Sequence, residues 1–224
     1  IWQIRWRRMR SYKNRIERLR EKYPGSGFVF IDNISRTYLT GFRSSEDGDG
    51  ILAIGPERAV LFIDGRYIEE ATATVKHLDV ELTRSYAKNI SEDLPGFFKS
   101  QNTEKVIFDG DRLSFSKGNE LKDKFSDFKT ESLSGVLNPF RVIKDSMEID
   151  KIKRAVDIAM RSFRKLLDRI KPGISEKEVA TELEYLMCRE GATGPSFETI
   201  VLFGSRGSLP HGVPSHDVKC REKE

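Results

Sequence analysis

The segment GILAIGPERAVLFIDGRY, from Gly50 to Tyr67, contains two apolar runs on either side of Gly55-Pro56. Short runs rich in branched and aromatic residues are typical of buried strands, and a glycine-proline pair between them indicates a turn. The segment therefore predicts a β-hairpin. Because residues 66–75 then have a helical pattern, we expect the second strand to lead directly into a helix.

Comparable apolar runs surround this hairpin. Strands are expected in GFVFIDN (27–33), in DVELTRS (79–85, at an exposed edge), in KVIFDGD (105–111) and in FKTES (128–132). Helices are expected at 89–100, with Ser91 as the cap, and at 114–128. Strands and helices that alternate in this way predict an α/β layer architecture rather than a helical bundle.

A long helix is expected to begin after Asp145. Asp145 and Glu148 form a capping-box pair at its start, and Lys171-Pro172-Gly173 ends it. Apolar residues at intervals of three and four predict one buried stripe along it, formed by Ile149, Ile152, Val156, Ala159, Phe163, Leu166 and Ile170.

A second helix follows at once. Ser175 and Glu178 form another capping-box pair, and Ile174 with Val179 supplies a hydrophobic staple. We interpret the apolar stripes of both helices as core rather than as cofactor-binding surfaces. The change from alternating elements to long helices places a domain boundary near 141–144, between domains at 11–141 and 142–224.

Basic charge is concentrated at the start of the chain. Residues 1–22 hold nine Lys/Arg and two Glu, so this segment carries +7 and the rest of the chain −3. A nucleic-acid binder spreads basic charge along its working face, so no nucleic-acid partner is expected. The segment also fits a basic amphipathic helix on a membrane surface. We favour a first helix packed on the domain, with residues 1–10 as a basic leader that is non-native or translated from upstream.

Hydropathy, cysteine usage and acidic spacing bear on the location and the ligands of the protein. No run approaches the roughly 18 apolar residues that cross a bilayer, so no membrane partner is expected. The two cysteines, Cys188 and Cys220, lack metal-like spacing and an evident partner, which favours a reducing cytoplasm. The acidic residues Asp47 and Asp49 lack the further ligands that a calcium loop requires.

One histidine stands out near the end of the chain. The segment PSFETIVLFG (195–204) is expected to be a buried strand that leads into SLPHGVPS (208–215). Pro210 and Gly212 exclude both a helix and a central strand around His211. A side chain on such a restricted loop is well placed to point into a cleft. From the chemistry of the residues alone, a surface or hydrogen-bonded histidine remains the default interpretation.

Five segments in this order resemble one family. They are YLTGF (38–42), LFIDGRYIEEA (61–71), RVIKDSMEIDKIKRAVDIA (141–159), KPGISEKEVATELEYLM (171–187), and GPSFETIV with LPHGVPS (194–215). They resemble the Xaa-Pro aminopeptidases and Xaa-Pro dipeptidases (prolidases), metallopeptidases of the pita-bread fold. The resemblance implies an α/β fold: a creatinase-like N-terminal domain with a mixed sheet and flanking helices, then the first helices and strand of an incomplete α+β pita-bread domain. It also implies proline-containing peptide substrates, a cytoplasmic location and a homodimer.

The same resemblance assigns roles to two residues. His211 matches the family's Pro-His-Gly histidine, which is not a metal ligand but hydrogen-bonds the substrate and assists proton movement. A histidine suits that role when its position is fixed, because imidazole both donates and accepts protons. Phe197 is expected to help wall the substrate pocket, and a role in the core is an equal alternative.

The resemblance stops short of the metal centre. The family holds two divalent ions (manganese, cobalt or zinc) with two aspartates, a histidine and two glutamates, all after the Pro-His-Gly loop. No residue of HDVKCREKE (216–224) matches these five, so no metal site is expected in this chain. The sequence therefore predicts the N-terminal portion of a metal-dependent peptidase that cleaves Xaa-Pro bonds, truncated before its ligands and inactive as this chain. Without the family's later strands, the apolar stripe at 149–170 is expected to be partly unsheltered. The alternative is a non-catalytic binding module that retains a peptidase-like fold.

Overall fold

One mixed six-stranded sheet organises the first part of the chain. The computed structural model describes residues 2–83 and 94–222. The strands are β1 (Ser26–Phe30), β2 (Gly50–Ile54), β3 (Ala59–Ile63), β4 (Asp79–Leu82), β5 (Lys105–Asp109) and β6 (Lys129–Leu133). They lie in the order β4-β3-β2-β1-β5-β6. The β1/β2 and β2/β3 pairs are antiparallel and the other neighbouring pairs are parallel, which confirms the predicted hairpin and the mixed sheet.

Eight α-helices accompany the sheet in the part of the chain that the structure describes. They are α1 (Trp2–Lys22), α2 (Asn33–Thr40), α3 (Ile68–Thr74), α4 (Leu94–Lys99), α5 (Phe115–Lys124), α6 (Asn138–Val142), α7 (Ser146–Leu167) and α8 (Glu176–Arg189). Short 3-10 turns occupy Gly110–Arg112 and Gly204–Ser208. The expected cap at Ser91, the first residues of the helix expected at 89–100, and the end of DVELTRS lie outside the described residues.

The sheet is covered on both faces. Side chains alternate along a strand, so Phe28 and Phe30 of β1 face one core, while Val29 faces the other. The first core includes residues of α1 and α2, and the second includes Phe98 of α4 and Phe125 beside α5. Helices on both faces of a largely buried sheet form the expected α/β layer architecture.

Helix α1 packs on this domain. Tyr12, Ile16 and Leu19 are buried, the last two within the first core. Arg15 is buried as well, and it donates to the backbone oxygen of Tyr38 at 2.6 Å and to Asp145 Oδ2 at 2.6 Å. These contacts favour the packed first helix over a membrane-surface helix. Since α1 begins at Trp2, residues 2–10 continue the same helical backbone.

The chain divides into two compact units, one ending at Met147 and one beginning at Glu148. The division falls within the first turn of α7, a few residues after the predicted boundary. In the second unit, Leu166 of α7 packs with Val179 and Leu186 of α8. None of the helices among residues 2–83 and 94–222 has both the length and the apolar character needed to cross a membrane.

The interpretation of the α7 stripe as core is wrong for most of its length, whereas the expectation that the stripe is partly unsheltered is confirmed. Ile152, Val156 and Phe163 are 50%, 54% and 48% exposed, whereas the buried side of the helix carries Ile158, Ser162 and Leu166. Helical periodicity identifies an apolar face but not the element that covers it. Within the described residues of the second unit, α8 covers the neighbouring face, so this stripe faces solvent.

Candidate functional site

His211 lies in an irregular loop. The loop follows the 3-10 turn at Gly204–Ser208, and it is shaped by hydrogen bonds from Leu209 N to Arg206 O (3.0 Å) and from Gly212 N to Leu209 O (3.4 Å). The flanking Pro210 and Gly212 were expected to exclude helix and strand, and this expectation is confirmed. The imidazole is exposed and has no hydrogen-bond partner among the described residues.

The buried strand predicted at 195–204 is not formed. Residues 195–203 adopt no regular secondary structure, and Phe197 is 74% exposed. A strand requires a neighbouring strand to satisfy its backbone groups, and no strand among the second unit's described residues pairs with this segment. The apolar composition of this segment was therefore not sufficient to predict a strand. Only its end is anchored, because Val201 and Phe203 pack against the core of α7 and α8.

The two residues singled out from the sequence line the same cleft. A cavity of about 510 Å³ is bounded by 197–200 on one side and by 210–214 on the other. Phe197 and Ile200 contribute apolar surface, His211 contributes an imidazole, and Glu198 contributes a carboxylate. An apolar lining with a few polar groups is typical of sites for small molecules.

The segment that follows His211 is attached to the start of α8. Ser175 and Glu178 form the predicted capping box: Ser175 N donates to Glu178 Oε2 at 2.8 Å, and Glu178 N donates to Ser175 Oγ at 3.2 Å. The hydrogen bonds from Ser175 hold the pKa of Glu178 below its ordinary value. The segment after His211 is tied to the same turn, because Lys177 N donates to Ser215 O and Cys220 N donates to Ile174 O.

A residue that the sequence analysis missed lies between these elements. Glu176 has a side chain that is 0% exposed, and its carboxylate accepts from Phe203 N at 2.8 Å and from Ser215 N at 3.0 Å. Arg206 Nε completes the set at 3.1 Å. Burial alone would raise the pKa of Glu176, but the two backbone donors and Arg206 outweigh burial and lower it. One sequence signal could have pointed to Glu176. It lies next to Ser175 and Glu178, which complete the capping box by themselves, so the cap does not account for a third polar side chain there.

The described side chains do not fit a dinuclear metal centre. Within 2–83 and 94–222, no group of three or more His, Cys, Asp or Glu side chains is arranged to hold a metal ion. Two-metal hydrolysis needs carboxylates that bridge ions about 3.5–4 Å apart. No catalytic step through a metal is therefore derived for these residues.

Comparisons with known proteins agree with this architecture. Residues 14–143 match the Creatinase/Prolidase N-terminal domain, and residues 150–224 match Metallopeptidase family M24. The chain therefore belongs to the M24 metallopeptidases that carry a creatinase/prolidase N-terminal domain. The family expected from the sequence is confirmed, as is the fold class.

Individual relatives extend the similarity along most of the chain. The "Uncharacterized peptidase YqhT" of Bacillus subtilis (strain 168) is 32% identical over 205 residues, which cover 90% of this chain and 56% of that protein. The solved "Xaa-Pro dipeptidase from Bacillus anthracis" superposes with a TM-score of 0.83 at 31% identity, covering 94% of this chain and 58% of its own. The solved X-Pro aminopeptidase from Thermotoga maritima MSB8 superposes with a TM-score of 0.78 at 29% identity. The match covers 89% of this chain and 56% of that one. The chain thus spans little more than half the length of these relatives.

Proposed function

We propose that this chain is the N-terminal portion of a metal-dependent peptidase that cleaves Xaa-Pro bonds, and that it carries part of the peptide-binding cleft. As a 224-residue polypeptide it binds a prolyl peptide without hydrolysing it. The observation that carries the proposal is the placement of Phe197 and His211 on one cleft of about 510 Å³. The similarity to an Xaa-Pro dipeptidase and to an X-Pro aminopeptidase supports this substrate class.

The cleft offers complementary groups to a prolyl peptide. The exposed ring of Phe197 provides a flat apolar surface on which a pyrrolidine ring packs, because aromatic rings bury apolar area without a polar partner. The imidazole of His211 has its hydrogen-bonding capacity free for a peptide carbonyl or carboxylate. Pro210 and Pro214 border the same cleft and restrict the backbone that presents the imidazole.

Hydrolysis by this polypeptide is not expected, because its described side chains offer no cage for a pair of divalent ions. The five ligands expected from the family resemblance have no counterparts in the sequence. In the intact enzyme His211 then acts on the substrate, by hydrogen bonding and by assisting proton movement, while other residues hold the manganese, cobalt or zinc ions.

An NMR titration with an activity assay tests the proposal. Ala-Pro is added to the isotope-labelled chain, and the imidazole signals of His211 and the ring signals of Phe197 are followed. We expect both to shift with Ala-Pro and not with Ala-Ala, and we expect no proline release with manganese or cobalt. Unaltered signals at saturating Ala-Pro contradict the binding proposal. Turnover that co-purifies with the polypeptide contradicts the proposed inactivity.

The family resemblance also supports a homodimer and a cytoplasmic location for the intact protein. Cys188 and Cys220 are both free thiols, which fits a reducing compartment. Light scattering on the purified chain checks the oligomer, and fractionation of cells that express the intact gene checks the location.

A further inference from the structure

Glu176 is the first residue of α8, and its buried carboxylate contacts the cleft-bearing segment on both sides of His211. Oε1 accepts from Phe203 N at 2.8 Å, where the chain enters the 3-10 turn. Oε2 accepts from Ser215 N at 3.0 Å, where the chain leaves the His211 loop. One carboxylate therefore holds the two ends of a thirteen-residue segment together.

Arg206 extends this connection towards the imidazole. Its Nε donates to Glu176 Oε1 and Oε2 at 3.1 and 3.3 Å. Its Nη2 donates to the backbone oxygen of Val213 at 2.9 Å, two residues after His211. A continuous path of charge-assisted hydrogen bonds thus leads from Glu176 through Arg206 to the backbone beside the imidazole, and such bonds are stronger than neutral ones.

The loop around His211 also contacts the stretch 197–202, which leads into Phe203. A Cβ atom at Gly212 would lie 2.5 Å from Cδ1 of Leu202, so the loop packs closely against this stretch. The cleft lies between them, with Phe197 on the stretch and His211 on the loop. The position of His211 relative to Phe197 therefore depends on how the 203–215 segment is held.

We propose that Glu176 is a positioning residue for His211: through its bonds to Phe203 N, Ser215 N and Arg206, it sets where the imidazole stands in the cleft. The role that this gives Glu176 in peptide recognition rests on the proposed function, whereas its control of the imidazole position does not. Both carboxylate oxygens face donors, so a carboxylate is needed. A glutamine has a single acceptor oxygen, and its NH₂ group would face a donor. The three donors also favour the charged form, in line with the lowered pKa of Glu176.

Glu176→Gln tests the proposal in the full 224-residue chain. The NMR signals of the His211 imidazole are compared with wild type, without peptide, under conditions where both proteins are folded. We expect shifted and broadened imidazole signals, because one end of the 203–215 segment is released from Glu176 and the loop samples several positions. The methyl signals of Leu186, which packs between α7 and α8, are expected to be unchanged. A purely structural role for Glu176 predicts a lower melting temperature with unchanged His211 signals, and that result would overturn the proposal.

A matched control and a milder variant complete the design. Glu178→Gln removes the same charge from the same helix terminus, but Glu178 contacts Ser175 and not the 203–215 segment, so the His211 signals should not move. Arg206→Lys keeps the positive charge and loses the fork that reaches Val213; because Arg206 is partly exposed, this variant should fold even if Glu176→Gln does not. We expect a smaller change of the His211 signals in Arg206→Lys, and no change there also overturns the proposal.

The same samples separate this inference from the proposed function. If wild type does not respond to Ala-Pro but Glu176→Gln still alters the imidazole signals, the binding proposal fails and the positioning role stands. If wild type binds Ala-Pro and Glu176→Gln binds it equally well with unchanged imidazole signals, the positioning role fails alone.

Discussion

The imidazole of His77 stacks on the ring of Tyr12, with centroids 5.5 Å apart and planes inclined by 24°. His77 Nε2 lies 3.0 Å from the backbone oxygen of Leu39, so the imidazole joins α1 to α2 and to the segment before β4. His77 is therefore part of the attachment of α1 to the domain.

The burial of His77 in this contact predicts that the stability of the first unit depends on pH. Burial lowers the pKa of His77, and the bond to Leu39 O only partly offsets this. His77 is therefore protonated at a higher pH in the unfolded chain, where its pKa is about 6.5, than in the folded chain. The unfolded state binds more protons below that pH, so the free energy of unfolding falls as pH is lowered until the folded imidazole is also protonated.

The measurement is urea denaturation at about pH 7.5 and about pH 5.5, on either side of the unfolded value. Wild type should lose stability between them, and His77→Gln should lose less, because its amide still donates but does not titrate. His216→Gln, in the exposed tail, serves as the control and should behave as wild type. An equal loss in wild type and His77→Gln contradicts the prediction.

Arg36 is 0% exposed and closes the loop between α2 and β2. Its Nε donates to Ile31 O, and its Nη2 donates to Ser44 Oγ and to Glu46 O. Burial lowers its pKa, while nearby aspartates, Asp49 foremost, favour the charged form.

Arg36→Met leaves these buried acceptors without a donor, which should lower the free energy of unfolding by about 3 kcal/mol. Arg43→Met changes an exposed arginine of the same loop and should stay within about 0.5 kcal/mol of wild type. Both values come from urea denaturation followed by circular dichroism. Similar effects of the two substitutions would show that the buried contacts of Arg36 contribute little.

Two glycines should respond to alanine in opposite directions. Gly41 caps α2 at φ 76°, and a Cβ there would lie 2.6 Å from the ring of Tyr12. Gly41→Ala should destabilise by at least about 1–2 kcal/mol, because both the left-handed backbone and the contact oppose it. Gly118 lies within α5 with nothing within 4 Å of its virtual Cβ, so Gly118→Ala should stabilise by about 0.5–1 kcal/mol. Thermal melts of both variants suffice, and the same sign of effect in both contradicts the argument.

Local signals in the sequence were sufficient for most elements. The β2–β3 hairpin follows from apolar runs around Gly55-Pro56, and the start of α8 follows from the Ser175–Glu178 pair. Each signal acts over a few residues, so neighbours in sequence decide the outcome.

The failures have a common physical cause. Whether 195–204 forms a strand depends on a partner strand, and the side of α7 that is buried depends on what packs against it. The role of Glu176 depends on donors 27 and 39 residues away, at Phe203 and Ser215. Long-range contacts of this kind leave no periodic trace in the sequence.

The exposed stripe of α7 gives a prediction that separates stability from association. Val156 and Phe163 are both about half exposed, so the double substitution Val156→Gln with Phe163→Gln should change the free energy of unfolding little. It should reduce binding of the dye ANS and self-association, because exposed apolar surface promotes both. Leu166→Ala, on the buried side of the same helix, should instead destabilise by about 2–5 kcal/mol. Loss of stability in the double variant comparable to that in Leu166→Ala would show that the stripe is covered in solution.

Phe197 provides the most direct check of the cleft. Its ring is largely exposed, so Phe197→Ala should leave the melting temperature close to that of wild type. The same change should weaken Ala-Pro binding about tenfold, or about 1.4 kcal/mol, because a stacking surface for the prolyl ring is removed. Phe197→Tyr keeps the ring and should retain most of the affinity.

The two interpretations of Phe197 left open by the sequence make opposite predictions for this variant. A core role requires Phe197→Ala to lower the melting temperature by several degrees, with binding reduced only through unfolding. A role in the cleft wall requires weaker binding at unchanged stability. Titrating Ala-Pro into Phe197→Ala and measuring its thermal melt in the same buffer decides between them, with Phe115→Ala as the control for loss of an exposed ring outside the cleft.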